Sequence, residues 1–441
     1  MRKTAEKIEI FKERRRQLGQ QIKGSAMILA AAPEVIRNDD VHYPYRQDSN
    51  FYYLTGFEEP ESILLFRPGL VPETILFVRK KDLERETWDG FRFGPELAEK
   101  EFQVDKAYLI DEFSKVAPGL LKEVDQLYYR MYKNAWSDGL VKQALETLRI
   151  SQGRTGHGYM TLHDSQLVLG EMRLIKSEYE LTNLREACEI SAQGHIAAMK
   201  FARPGVNERQ VQGVLAHTFF MKGAAREGYN HIVASGASST TLHYNFNDQA
   251  CKDGDVLLID SGAEYNFFTG DITRTFPVNG KFTEEQALVY QAVLNVQKKI
   301  IDMIKPGVIF KTLQETTIDL LIEAMLTLGL LSGRKEDIVA SQSYKRFYPH
   351  GVSHWLGMDV HDAGLYVQKG ESRALETNMC FTVEPGLYIR ADDETVPKKF
   401  RGIGVRIEDN IRVTSHGCEV MTSSAPKEIS DLEKLVGTAH L

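Results

Sequence analysis

What is scarce narrows the field first. The chain of 441 residues has only four cysteines, Cys188, Cys251, Cys380 and Cys418, and no two of them form a Cys-x-x-Cys pair. That argues against a disulfide framework and a thiolate zinc site, and fits a reducing compartment such as the cytoplasm. No apolar run reaches the roughly 18 residues that a membrane-crossing helix needs. Behind Arg14-Arg-Arg16 there is no apolar segment of signal-peptide kind, and the 25–32 run comes too late and is too strand-like, so no export signal is expected. An excess of basic charge is lacking too. With 54 Lys and Arg against 61 Asp and Glu the net charge is −7, which argues against a nucleic-acid partner. Internal repeats and low-complexity tracts are absent.

What is present belongs to a soluble globular chain, 42% hydrophobic and 26% charged, and too long for one ordinary core. Residues 5–22 have the spacing of an amphipathic helix, with Arg14–Arg16 expected on a solvated face. Short apolar runs at 26–31, 62–66 and 74–78, then a helical pattern at 140–148, predict a mixed α/β unit. Within it, residues 37–57 are dense in aromatics, Asp and Arg and read as a loop lining a cavity or an interface. Trp88 is expected in a polar loop. Ser177 with Glu180 three places later reads as a capping box opening a long helix, which puts a domain boundary near 174. Helices broken at Arg203-Pro-Gly205 and again at Lys305-Pro-Gly307 suggest a duplicated helical pair.

The chemistry gathers in 243–271 and the segments that must fold back on it. Val256-Leu-Leu-Ile-Asp260 reads as a buried strand ending in a carboxylate, and Asp271 follows in Gly270-Asp-Ile-Thr-Arg274. Alone, the two aspartates fit turn capping as well as cation binding. Three of the twelve histidines, His350, His354 and His361, fall in one glycine-interleaved stretch. Cys380-Phe-Thr-Val-Glu384 reads as a strand ending in Glu384. The stretch 404–413 reads as one further strand, with Arg406 and Glu408 on a shared face. Asp260, Asp271, Glu384 and Glu408 around His354 would gather four negative charges that need cations. Two divalent ions would neutralise them. Oxygen-rich ligation with one imidazole favours a hard ion such as Mn²⁺, and such a pair suits hydrolysis.

This ordered set, with the words Gly270-Asp-Ile-Thr-Arg-Thr-Phe276, His350-Gly-Val-Ser-His354, Val383-Glu-Pro-Gly386 and Arg406-Ile-Glu408, resembles the dinuclear metallopeptidases of the pita-bread fold. Tyr43-Pro-Tyr-Arg-Gln47 and Phe51-Tyr-Tyr-Leu-Thr-Gly-Phe57 resemble its Xaa-Pro aminopeptidase branch. The resemblance implies an α+β chain. A mixed α/β N-terminal domain over 1–173 would precede a catalytic domain over 174–441, a curved antiparallel sheet covered by helices. It implies cleavage of the bond between an N-terminal residue and a following proline, by a homo-oligomer that is a dimer or a tetramer. Asp271 and Glu408 would bridge two metals, Asp260 would complete one site, and His354 with Glu384 the other, Glu384 also accepting the water's proton. His243 and His361 would bind the substrate carbonyl, His350 would line the proline side, and Arg406 would hold the acidic groups. Tyr229 would wall the site, and Asp40 and Trp88 would reach it from N-terminal domains, Trp88 from a neighbouring subunit. A dipeptidase of the same fold would share every metal ligand. A metal-free binding module of that fold would be expected to have lost some.

Overall fold

In a computed structural model, residues 7–156 and 158–439 are described, and the chain divides into two compact units, Met1–Met172 and Arg173–Leu441. In the first, the apolar runs form β1 (Ala26–Ala30), β4 (Ile63–Phe66) and β5 (Thr74–Val78), with β2 (Ile36–Asn38) and β3 (Val41–His42) making a small exposed hairpin between them. Later come β6 (Lys106–Leu109), β7 (Gln126–Tyr128) and β8 (Thr161–His163), and the six-stranded sheet runs β6-β5-β4-β1-β7-β8. Every residue of β4 and β5 is buried, so both faces of the sheet are covered. Ile28, Leu65, Phe77 and Leu127 pack with Phe113 and Leu121 of one helix and Leu148 of another.

Three expectations for this unit are corrected. Helix α1 (Ile8–Gln21) forms, with residues 5 and 6 outside the described residues, but Arg14 and Arg15 do not face solvent. Both are buried, and they donate to the carbonyl oxygens of Tyr53 and Leu54 at 3.1 and 2.7 Å. Those carbonyls end α2 (Ser49–Thr55), where the chain is fully buried helix rather than loop. Asp48 caps its start by accepting from the Phe51 N–H, and Gly56 ends it at φ 66°, where a Cβ would fall 2.3 Å from Phe11. Two guanidinium groups therefore satisfy the carbonyls that a short helix leaves unpaired. Trp88 sits on a short helix, α3 (Leu83–Asp89), and is 81% exposed.

Further along the first unit come α4 (Gly94–Phe102), α5 (Phe113–Leu121) and α6 (Ala135–Gln152), and α7 (Gln166–Leu174) carries the chain into the second unit. There α8 (Glu178–Phe201) opens on the capping box of Ser177 and Glu180 and pairs with α9 (Glu208–Met221). The recurring pair, α10 (Glu284–Met303) and α11 (Phe310–Thr327), also packs together. Between the two helical pairs the chain forms β9 (Arg226–Glu227), β10 (Ile232–Ser235), β11 (Val256–Ser261), β12 (Ala263–Tyr265), β13 (Phe268–Thr269) and β14 (Ile272–Pro277). After them come α12 (Lys335–Ser341), β15 (Val367–Gln368), β16 (Glu371–Ser372), β17 (Cys380–Val383), β18 (Gly386–Ile389), β19 (Ile403–Arg406), β20 (Asp409–Val413), β21 (Cys418–Val420) and α13 (Ile429–Leu435). The sheets β10-β11-β14, β17-β20-β21 and β18-β19 are antiparallel. The 404–413 stretch is thus two strands, interrupted at Ile407-Glu408, and Glu384 lies at the corner after β17 rather than within it.

His195 of α8 is wholly buried, with Nε2 on the Ser261 carbonyl oxygen at 3.0 Å. Burial pushes its imidazole down to about 4. The unfolded chain takes up this proton near pH 6.5, so stability is unaffected above that value and falls as pH drops from about 6.5 to about 4. Replacing His195 with Gln is expected to remove a pH-dependent loss on the order of 3 kcal/mol over that window. Urea unfolding of both proteins at pH 7.5 and pH 4.5 checks this. An unchanged pH slope in the variant would refute it.

Candidate metal centre

Two antiparallel strands deliver the aspartates. In β11 Asp260 pairs with Thr273 of β14, and Asp271 stands one residue before β14. Where the chain turns between them, a Cβ on Gly262 would lie 1.7 Å from the Gly270 carbonyl oxygen, so only glycine lets the two ends converge. The Tyr229 phenol oxygen lies 2.7 Å from Asp260 Oδ1 and 2.5 Å from Asp271 Oδ1. It has one proton to give and faces two carboxyls.

The other donors come from one ladder and its margin. Val383 of β17 pairs with Asp409 of β20, so Glu384 and Glu408 emerge from the same end of that pair. Trp355 bridges Phe381, and the Thr382 N–H donates to the His354 carbonyl oxygen, which lays His354 alongside β17. His354 Nδ1 lies 3.1 Å from the Trp355 carbonyl oxygen, an acceptor only, so Nδ1 carries hydrogen. Nε2 then faces Asp271 Oδ2 at 3.3 Å and Glu384 Oε1 at 3.5 Å. Asp271, His354 and Glu408 each offer a ligand atom, and these atoms all lie within 4.8 Å of one another.

Glu408 and its neighbour Asp409 test whether a cation belongs here. Both are buried. Burial opposes ionisation of Asp409, but Arg274 and Lys427, each 2.6 Å away, outweigh it and hold the carboxyl down to about 2. At Glu408 burial pushes the carboxyl up, and the carboxylates of Asp271 and Glu384 add to the rise more than Arg406 takes away. Burial raises Asp271 as well and lifts Glu384 to about 7. Although burial disfavours a charged His354, Asp271 and Glu384 keep its ring protonated up to about 9. The chain's own cations satisfy Asp409 and leave the neighbouring cluster short of positive charge. Carboxylates and an imidazole in that condition fit divalent metal.

Hydrogen bonds give the surroundings a direction. Arg406, a donor only, gives to Asp260 Oδ2 at 2.6 Å, to Thr273 Oγ1 at 2.9 Å and to the Tyr388 phenol at 3.0 Å. Thr273 can then donate onward to Glu408 Oε2, 2.6 Å away. His350 Nδ1 lies 2.8 Å from the Gly351 carbonyl oxygen and so carries hydrogen, which leaves Nε2 to accept from Tyr388 at 2.8 Å. His361 is exposed and stands edge-on to His354, ring centres 4.4 Å apart. Its neighbour Asp362 is buried against Arg173 and Lys176.

Of the residues expected from sequence, Asp260, Asp271, His354, Glu384, Glu408, Tyr229, Arg406, His350 and His361 fall within this one network. His243 is exposed in the 236–249 loop. Asp40, in the turn of the β2–β3 hairpin, and Trp88 both belong to the first unit. Sequence reasoning missed Tyr388, Thr273 and Thr382, whose hydroxyl donates to Glu384 Oε1 at 3.2 Å. The only signal was their place beside charged motif residues.

Known proteins are similar to this chain over nearly its whole length. The pattern of metallopeptidase family M24 matches residues 182–415, and that of the aminopeptidase P N-terminal domain matches residues 11–128. The chain belongs to metallopeptidase family M24. It is 42% identical to the Xaa-Pro aminopeptidase of Haemophilus influenzae, over 97% of each chain. An aminopeptidase of Pseudomonas aeruginosa superposes with a TM-score of 0.93 at 43% identity, over 97% of each chain. A zinc-substituted Escherichia coli aminopeptidase P in complex with product superposes at 0.92 and 41% identity, over 97% of this chain and 98% of that one.

Because no ion pair meets Glu408 among the described residues, Glu408→Gln is expected to leave the EDTA-treated protein at least as heat-stable as wild type. Added divalent metal should raise the wild-type Tm by several degrees and the variant's by much less. Calorimetry with and without Mn²⁺ reads both effects. Equal metal-induced shifts would remove Glu408 from the centre.

Proposed function

We propose that the protein is a metal-dependent Xaa-Pro aminopeptidase that releases the first residue of peptides whose second residue is proline. The observation that carries the reading is the unneutralised Glu408 beside the neutralised Asp409. It stands in a chain alike over nearly its whole length to an Xaa-Pro aminopeptidase. Asp260, Asp271, His354, Glu384 and Glu408 would together hold two divalent ions. Manganese is the proposed metal, since oxygen donors with one imidazole suit a hard cation. Such ions supply Lewis acidity toward the scissile carbonyl and lower the pKa of water.

The chain's own residues position and move protons. Thr382 occupies Glu384 Oε1, which turns Oε2 toward His350 Nδ1 at 3.7 Å and leaves it to take the proton that water loses. His243 and His361, both exposed, are assigned to the carbonyl of the residue before proline, where each can donate one hydrogen. His350 is held by Tyr388 against the proline side, with the aromatic ring of Tyr348 4.8 Å from its own. Tyr229 walls the aspartate side. Unpaired cysteines support a cytoplasmic setting. Exposed Leu83, Trp88 and Phe91 support a homodimer or homotetramer in which Trp88, with Asp40, completes a substrate cleft.

With Mn²⁺ present, an Xaa-Pro-Xaa tripeptide is expected to lose its first residue. Asp260→Ala and Glu408→Ala should each lower kcat/KM by more than about a hundredfold with the circular dichroism unchanged. Liquid chromatography of the products reads this. Turnover of Xaa-Pro dipeptides alone would make the protein a dipeptidase. Failure to take up any divalent metal would make it a binding module.

A further inference from the structure

The loop that carries His243 has little regular structure beyond one 3₁₀ turn, Gly236–Thr240, yet its two ends and its middle meet at a single side chain. It leaves β10 at Ser235 and closes where Ala250 bridges Asn207. Glu208, the first residue of α9, is wholly buried there. Its Oε1 accepts from the Ser235 N–H and the Ser235 hydroxyl, both at 2.7 Å. Its Oε2 accepts from the Tyr244 phenol at 2.9 Å and the Gln249 N–H at 3.0 Å. These hydrogen-bond partners are all neutral, and the positive end of the α9 dipole is the complement to the charge.

Capping the helix does not explain this arrangement, because α9 already has a complete capping box of Asn207 and Gln210. Two of the four hydrogen bonds tie the start of the loop and one its end. The fourth holds Tyr244, next to His243. The Tyr244 ring in turn packs with Ile232, Leu258 and Tyr388, the last of which accepts from Arg406 and donates to His350. One carboxylate thus joins the start, middle and end of the loop, Asn247 ties it again through the Val233 N–H and the His231 carbonyl oxygen, and one phenol links it to the metal-site network.

We propose that Glu208, acting through Tyr244, is the positioning residue that holds His243 toward the substrate. The inference rests on the proposed role of His243 in the reaction above. Glu208→Gln keeps the shape but turns a donating amide on two of the four donors, so part of the anchor is lost. It is expected to lower kcat about ten- to a hundredfold, the scale for a catalytic group displaced by about 1 Å, with Mn²⁺ content unchanged. In a His243→Ala background the same substitution should cost almost nothing further.

Amide hydrogen exchange on EDTA-treated protein gives a readout independent of turnover. Residues 236–249 should exchange faster in Glu208→Gln, with α10 and α11 unchanged. Equal losses of kcat in the two backgrounds, or unaltered exchange in the loop, would overturn the proposal. If Glu208→Gln does not fold, Tyr244→Phe tests the same link with the carboxylate and three of its donors intact, and the same non-additivity with His243→Ala is required. If His243→Ala alone leaves turnover at wild-type level, the role assigned to His243 fails, and the exchange data still decide whether Glu208 anchors the loop.

Discussion

The constraint on which the second unit depends is negative charge buried without enough protein cations to meet it. Strand alternation creates that condition side by side with its opposite. Thr273 and Glu408 turn one way and share a hydrogen bond, while Arg274 and Asp409 turn the other and form a fully buried ion pair. Neighbouring residues therefore see opposite surroundings at the same depth. The inner pair also binds the strand ends together, since Arg274 donates to the carbonyl oxygens of Thr273 and Glu408, at 2.9 and 2.5 Å, as well as to Asp409. What stabilises the junction also aims Glu408 at the site.

Direction matters as much as charge. Arg406 can only donate, so its three bonds decide which way Thr273 and Tyr388 point their own hydrogens. The Gly351 carbonyl fixes the His350 tautomer from the other side. Asn410 adds a reciprocal pair with the backbone of Asp271, accepting from its N–H at 2.9 Å and donating to its carbonyl at 2.5 Å. Groups locked in this way need little rearrangement when charge develops during a reaction, which is where preorganisation lowers a barrier.

Asp260 and Glu384 drew notice in the sequence because a carboxylate ending an apolar run is costly unless something meets it. The hydroxyls that orient them could not be read there. Threonine and tyrosine are common in strands for reasons of packing, and nothing in a sequence shows where a hydroxyl points. Arg14 and Arg15 were misread for a related cause: their partners are helix-end carbonyls 39 residues away, and carbonyls have no signature in a sequence. The break at Ile407-Glu408 was hidden because its residues alternate as a continuous strand does. The aromatic density of 49–55 suggested a cavity lining, when its cause was complete burial of a short helix.

Glu208 was the least legible residue of all, since a glutamate opening a helix is ordinary. Its structural weight follows from the support each group receives. Asp260, Asp271, Glu384 and Glu408 sit on strands or within a residue of them, and His354 is bridged to β17, so paired backbone holds their positions. His243 has no such backing. A loop of that length samples many conformations unless a few strong bonds close it, and bonds to an ionised acceptor are the strong ones. A carboxylate that both ends of the loop and the residue beside His243 can reach supplies such bonds, and Asn247 adds a further tie to β10.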